Sequence, residues 1–134
     1  MKMKIDASVF CQYSLEALPP AGRSLMYAVL ALNRGRLAQA LSFIRLGREN
    51  VFNSEELAYL LYIEGILQFV GGNHSQAIEC HKRCADLCWD SGDRELRCDV
   101  LLYLATIYLS IGEPAVAKVY EKEAALIMPR KDAF

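Results

Sequence analysis

The chain has 134 residues, 54% of them hydrophobic, with 15 Lys and Arg against 16 Asp and Glu for a net charge of -1. That length and apolar fraction suffice for one domain with a continuous core, and the balanced charge lacks the basic field that concentrates nucleic acid or anionic lipid. No run approaches the ~18 consecutive apolar residues of a membrane span, and Asp6, Ser8 and Gln12 interrupt any export-signal core behind Lys2 and Lys4, so the chain reads as soluble and cytoplasmic.

Residues 1–20 form a segment of open conformation: Ile5, Ala7, Val9, Cys11 and Tyr13 alternate like a strand, whereas Phe10, Tyr13 and Ala17 suit a helix face. Pro19 and Pro20 end it, and Pro20 also suits the first position of the next helix. From 21 to 134 the pattern is all-α. Leu25, Met26, Val29 and Leu32 recur with helical period over about 22–34, closed by Arg34 and Gly35, and a partner helix follows over about 37–48. Asn53 with Glu56 three residues on predicts a capped start for a helix carrying Leu57, Leu60, Leu61 and Ile66, ending at Gly71 and Gly72. Asn73 with Gln76 repeats that signal and opens a helix carrying Ala77, Ile78 and Leu87. The run Asp90, Ser91, Gly92 and Asp93 predicts a loop. A fifth helix carries Val100, Leu101, Leu104, Ile107 and Tyr108, Gly112 and Pro114 make a turn, and a sixth continues to about Met128, stopped by Pro129.

Small residues mark these elements with one internal spacing, three times over: Ala28, Gly35, Ala40, Gly47; Gly65, Gly72, Ala77, Cys84; Ala105, Gly112, Ala117, Ala124. Small side chains let two antiparallel helices approach closely and a glycine closes the turn between them, so each ladder predicts one helical hairpin. The turn glycines are 37 and then 40 residues apart. The pattern over 21–130 resembles the tetratricopeptide repeat. In the third unit Leu101, Leu104, Ala105, Tyr108, Gly112, Ala117, Ala124 and Pro129 stand at the motif positions; the second keeps Leu61, Gly65, Gly72, Ala77 and Cys84 but has Glu64, Gln68 and His81 where the motif carries bulky apolar or aromatic residues; the first keeps its ladder and Tyr27. An unrelated antiparallel bundle would also place small residues at helix crossings, and it too is all-α.

The resemblance implies a stack of hairpins whose first helices line a concave groove that reads a peptide or helix of a partner protein. Carried over by motif position, the groove residues are Leu25, Val29, Leu32 and Asn33; Tyr59, Tyr62, Ile66 and Phe69; and Leu102, Thr106 and Leu109. One subgroup of the family grips a terminal carboxylate with lysine, arginine and asparagine; the equivalent positions here hold Leu25, Tyr62 and Leu102, then Val29, Ile66 and Thr106, so that chemistry is absent. An apolar groove suits an amphipathic or extended hydrophobic segment, and equally some of these residues are core between hairpins. The expected function is therefore a non-catalytic adaptor or scaffold, with a small secretion chaperone that shields an export substrate as the alternative.

Cys80, Cys84 and Cys88 recur every four residues beside His81, yet a structural metal site needs four converging ligands, and cysteine also serves as a small buried hydrophobe; no metal or cofactor is expected. The odd set of five cysteines has no paired framework, as in a reducing compartment. His81 points about 100 degrees away from Cys80 on a helix, which argues against a nucleophile and base pair. The sixth helix carries Val116, Val119, Tyr120, Leu126 and Ile127 over a wide arc, with Lys118, Glu121 and Lys122 on one side, and predicts an interface, preferably with a second copy of the chain.

Overall fold

The structure, a computed structural model, describes residues 20–51 and 53–127, with side chains from Ser24 onward. The expectations for residues 1–19, Cys11 among them, and for the stop at Met128 and Pro129 lie outside the described residues. All six helices expected are present: α1 (Pro20–Asn33), α2 (Leu37–Arg48), α3 (Ser54–Val70), α4 (His74–Ser91), α5 (Arg94–Ser110) and α6 (Pro114–Ile127), with no strand among the described residues. Consecutive helices pair as hairpins, and none is long and apolar enough to cross a membrane.

Three short turns repeat one hydrogen-bond scheme. The N–H groups of Gly35, Gly72 and Gly112 donate to the carbonyls of Leu32, Phe69 and Leu109, and those of Arg36, Asn73 and Glu113 donate to Ala31, Gln68 and Tyr108 at 2.8–2.9 Å. This pair of bonds satisfies carbonyls left over at a helix end and needs a left-handed residue between them; the glycines supply it with φ of +74°, +81° and +82°. The next helix starts at once, because the carbonyls of Arg36, Asn73 and Glu113 accept from the N–H groups of Ala40, Ala77 and Ala117. All three alanines are fully buried.

The helix starts separate into two kinds. Asn53 and Asp93 cap with their side chains, accepting from the backbone N–H of Glu56 at 2.8 Å and of Leu96 at 3.1 Å. Asn73, expected to do the same, does not: its amide Nδ2 donates instead to Gln68 Oε1 at 2.9 Å, because the turn ties its backbone back to the end of α3 and turns its side chain that way. The loop expected over 90–93 shrinks to two residues. Gly92, at φ +78°, ends α4 by itself, and Asp93 at once begins α5.

The chain divides into two compact units, with the boundary inside α3 between Leu60 and Leu61. In the first, α1 lies on α2 through Tyr27 and Phe43, whose ring centroids are 5.3 Å apart, and around buried Leu25, Ala28, Val29, Ala40 and Ile44. Gly47 holds the closest approach: a Cβ there would stand 3.0 Å from Ser24 Cβ and 3.3 Å from a methyl of Leu60. In the second, Leu61, Leu67, Cys84, Val100, Leu101, Leu104, Ile107, Ala117 and Ala124 form the core, and α4 packs along α5.

Candidate functional site

Within the second unit the residues at the three motif positions that depart from the apolar pattern come to lie inside. Glu64, Gln68 and His81 are all buried, His81 completely. His81 sits directly over Gly65, where a Cβ would lie 2.6 Å from its ring, and on its other side it stacks on Tyr103 at 5.5 Å and 11°. Tyr62 meets Tyr103 edge-on, at 5.6 Å and 69°. Neither imidazole nitrogen has a hydrogen-bond partner among the described residues, and burial pulls the histidine pKa down from 6.5 to about 4. His81 is therefore a neutral, flat spacer between α3 and α5. The small residue at position 65 is what makes room for it.

The cysteines take separate roles. The Cys80 thiol donates to buried Glu64 Oε2 at 3.0 Å, Cys98 Sγ lies 3.7 Å from the Ala124 carbonyl, and Cys84 and Cys88 face each other one turn apart. Burial pushes the thiols of Cys84, Cys88 and Cys98 up, so they stay protonated and are weak nucleophiles. Among the described residues no three His, Cys, Asp or Glu side chains converge as metal ligands, and Cys80 and His81 address different neighbours.

Of the groove residues expected from motif position, Leu25, Val29 and Ile66 are buried, so their side chains are core, not surface. Motif position alone does not reveal that burial. Asn33, Tyr59, Leu102, Thr106 and Leu109 are exposed, and Leu32, Tyr62 and Phe69 are half-buried. Burial also raises the Tyr59 pKa above 10.0, so its hydroxyl stays neutral.

The structure gathers part of this set into a shallow recess in the second unit. It is lined by Tyr62 from α3 and by Asp99, Leu102, Tyr103 and Thr106 from α5. The four α5 residues are spaced i, i+3, i+4 and i+7, which puts them on one helix face. Leu102 remains 39% exposed, and Leu109, one further turn on, 52%. Thr106 spends its hydroxyl on its own helix, donating to the Leu102 carbonyl at 3.0 Å. The sequence reading missed Asp99 and Tyr103; the spacing of Asp99 with Leu102 and Thr106 was the signal available.

A second recess lies at the junction of α4, α5 and α6, bounded by Cys88, Trp89, Arg94, Arg97 and Ile127 among others. Arg97 stacks on the exposed Trp89 ring at 4.6 Å and pairs with Glu123 at 2.6 Å. Along α6, Val119 and Leu126 are the expected interface residues that stand free of the fold, 63% and 86% exposed. Val116, Tyr120 and Ile127 are half-buried, Tyr120 because its ring stacks on Tyr108 at 5.6 Å. No protein-family model and no curated protein matches this sequence.

Proposed function

We propose that the chain is a non-catalytic protein-interaction module of tetratricopeptide type, and that its second unit holds an apolar or amphipathic segment of a partner protein against α3 and α5. The observation that carries this reading is the recess itself. Leu102 stands exposed, with Tyr62 and Tyr103 half-buried beside it, on the first helices of two successive hairpins, and this leaves an apolar face without a cover among the described residues. The three identical turns with their buried alanines support the repeat assignment, since a repeat builds the same crossing each time.

Selection of a random peptide library on the purified protein tests it. Peptides with apolar residues at helical or alternating spacing should be enriched, and Leu102→Glu, at an exposed position, should abolish their binding while leaving the melting temperature unchanged. Enrichment indifferent to Leu102→Glu, or none at all, would sink the reading.

Self-association belongs to the same proposal, because Leu126 is almost fully exposed on the last described helix. Sedimentation should show a dimer that Leu126→Glu converts to a monomer; a monomer in both forms, binding no hydrophobic dye, removes this part.

A further inference from the structure

Beyond an apolar contact, the recess has a sign. Arg94 and Arg97 line the recess beside Trp89 together with Asp93, whereas Asp99 is the charged residue that lines the recess of Tyr62 and Tyr103. Arg97 is already committed, paired with Glu123 and laid on the Trp89 ring. Asp99 has no salt-bridge partner among the described residues. Asp99 is exposed, and partial desolvation, then the negative charges of Glu95 and Asp93, raise its pKa. The local helix offers no compensation either. Asp93 caps α5 and Glu95 stands in its first turn, where the helix dipole favours acids, but Asp99 lies a full turn further in, where that effect has faded.

An unpaired carboxylate beside two tyrosine rings is the chemistry that receives an organic cation. The carboxylate gives a charge-assisted hydrogen bond, and the electron-rich tyrosine rings attract the same positive group, although one face of Tyr103 is taken by His81. Resting on the reading of this recess as a partner-docking site, we propose that the docked segment carries an arginine or lysine among its apolar residues, and that this side chain enters between Asp99 and the tyrosine pair while Leu102 takes an apolar neighbour. This is the reverse in polarity of a carboxylate clamp: the protein supplies the anion and the partner the cation.

The test uses peptides selected on the whole protein, resynthesised in pairs that differ only at the basic residue, arginine against its neutral isostere citrulline. Citrulline should weaken binding by about tenfold, a contact of this kind being desolvated on docking, and Asp99→Asn should weaken the arginine peptide by a similar factor while leaving the citrulline peptide unchanged. Asp99→Asn should not lower the melting temperature. Peptides that bind in a Leu102-dependent way but show no basic residue, or bind Asp99→Asn as well as the parent, overturn the cation site and leave the docking reading standing. Failure to obtain any Leu102-dependent peptide overturns both.

Discussion

The second and third hairpins carry the same ladder of small residues and the same turn, yet their interiors differ in kind. In the third, α5 meets α6 through Leu101, Leu104, Ala105, Ala117 and Ala124, and its ring contact, Tyr108 on Tyr120, lies at the edge. In the second, the crossing of α3 and α4 is filled by an imidazole seated on a glycine, with Glu64, Gln68 and Cys80 buried around it. Spacing governs how closely two helices approach; side-chain identity governs what the crossing tolerates. A neutral histidine packs almost like an aromatic ring, but only while it remains neutral.

That difference is sharpened most by pH. The folded-state pKa of His81, about 4, lies below its unfolded value of 6.5. Between these values the unfolded chain takes up a proton that the folded chain refuses, so the full stability is present above about pH 6.5 and is lost as pH falls, by ~3 kcal/mol near pH 4. Urea unfolding at about pH 7 and about pH 4.5 should show this loss, and His81→Phe should remove most of the slope whatever its effect on stability at neutral pH. An unchanged slope in that variant would place the sensitivity on other groups.

Next in size is Gly65→Ala. In an open helix this change gains ~1 kcal/mol, but here the new methyl would stand 2.6 Å from the His81 ring, itself held against Tyr103. The sign should reverse, to a loss of ~2 kcal/mol through overpacking. Combined with His81→Ala the loss should shrink, and a thermal-melting double-mutant cycle measures that coupling. Additive effects would show that the two residues do not share the crossing.

In the third hairpin Ala117→Leu should cost ~1 to 3 kcal/mol and leave the His81-dependent pH slope as it is, since that imidazole lies against Gly65 and Tyr103 and not against Ala117. A melting temperature equal to the parent's would mean that the ladder is not a packing feature. The smallest effect is expected at the turn itself. Gly112 has open space around its missing Cβ and a φ of +82°, so Gly112→Ala should cost only the conformational term, ~1 kcal/mol, with the fold intact by circular dichroism.

Helix number, the turn glycines, the cap at Asn53 and the buried alanines were legible because each depends on residues within a few positions of one another. The side chain of Asn73 was not legible: the cap signal is local, and its actual partner Gln68 belongs to the preceding helix. The departures Glu64, Gln68 and His81 were visible as breaks in the motif, but their burial was not, because it depends on a glycine sixteen positions away from His81 and on Tyr103 of another hairpin.

The same division runs through the candidate site. By itself the sequence determined, beyond its first twenty residues, an all-α pattern of six helices with three like turns, which the described residues show, since periodicity and glycine placement are properties of the local backbone. Only the tertiary structure decided which apolar residues face outward, moving Leu25, Val29 and Ile66 into the core and leaving Leu102 and Leu109 in solvent. It also set Asp99 beside Tyr62 and Tyr103. Burial and electrostatic environment depend on what a neighbouring helix places over a position, and residues 37 positions apart in the chain, such as Tyr62 and Asp99, come together only when their helices pack.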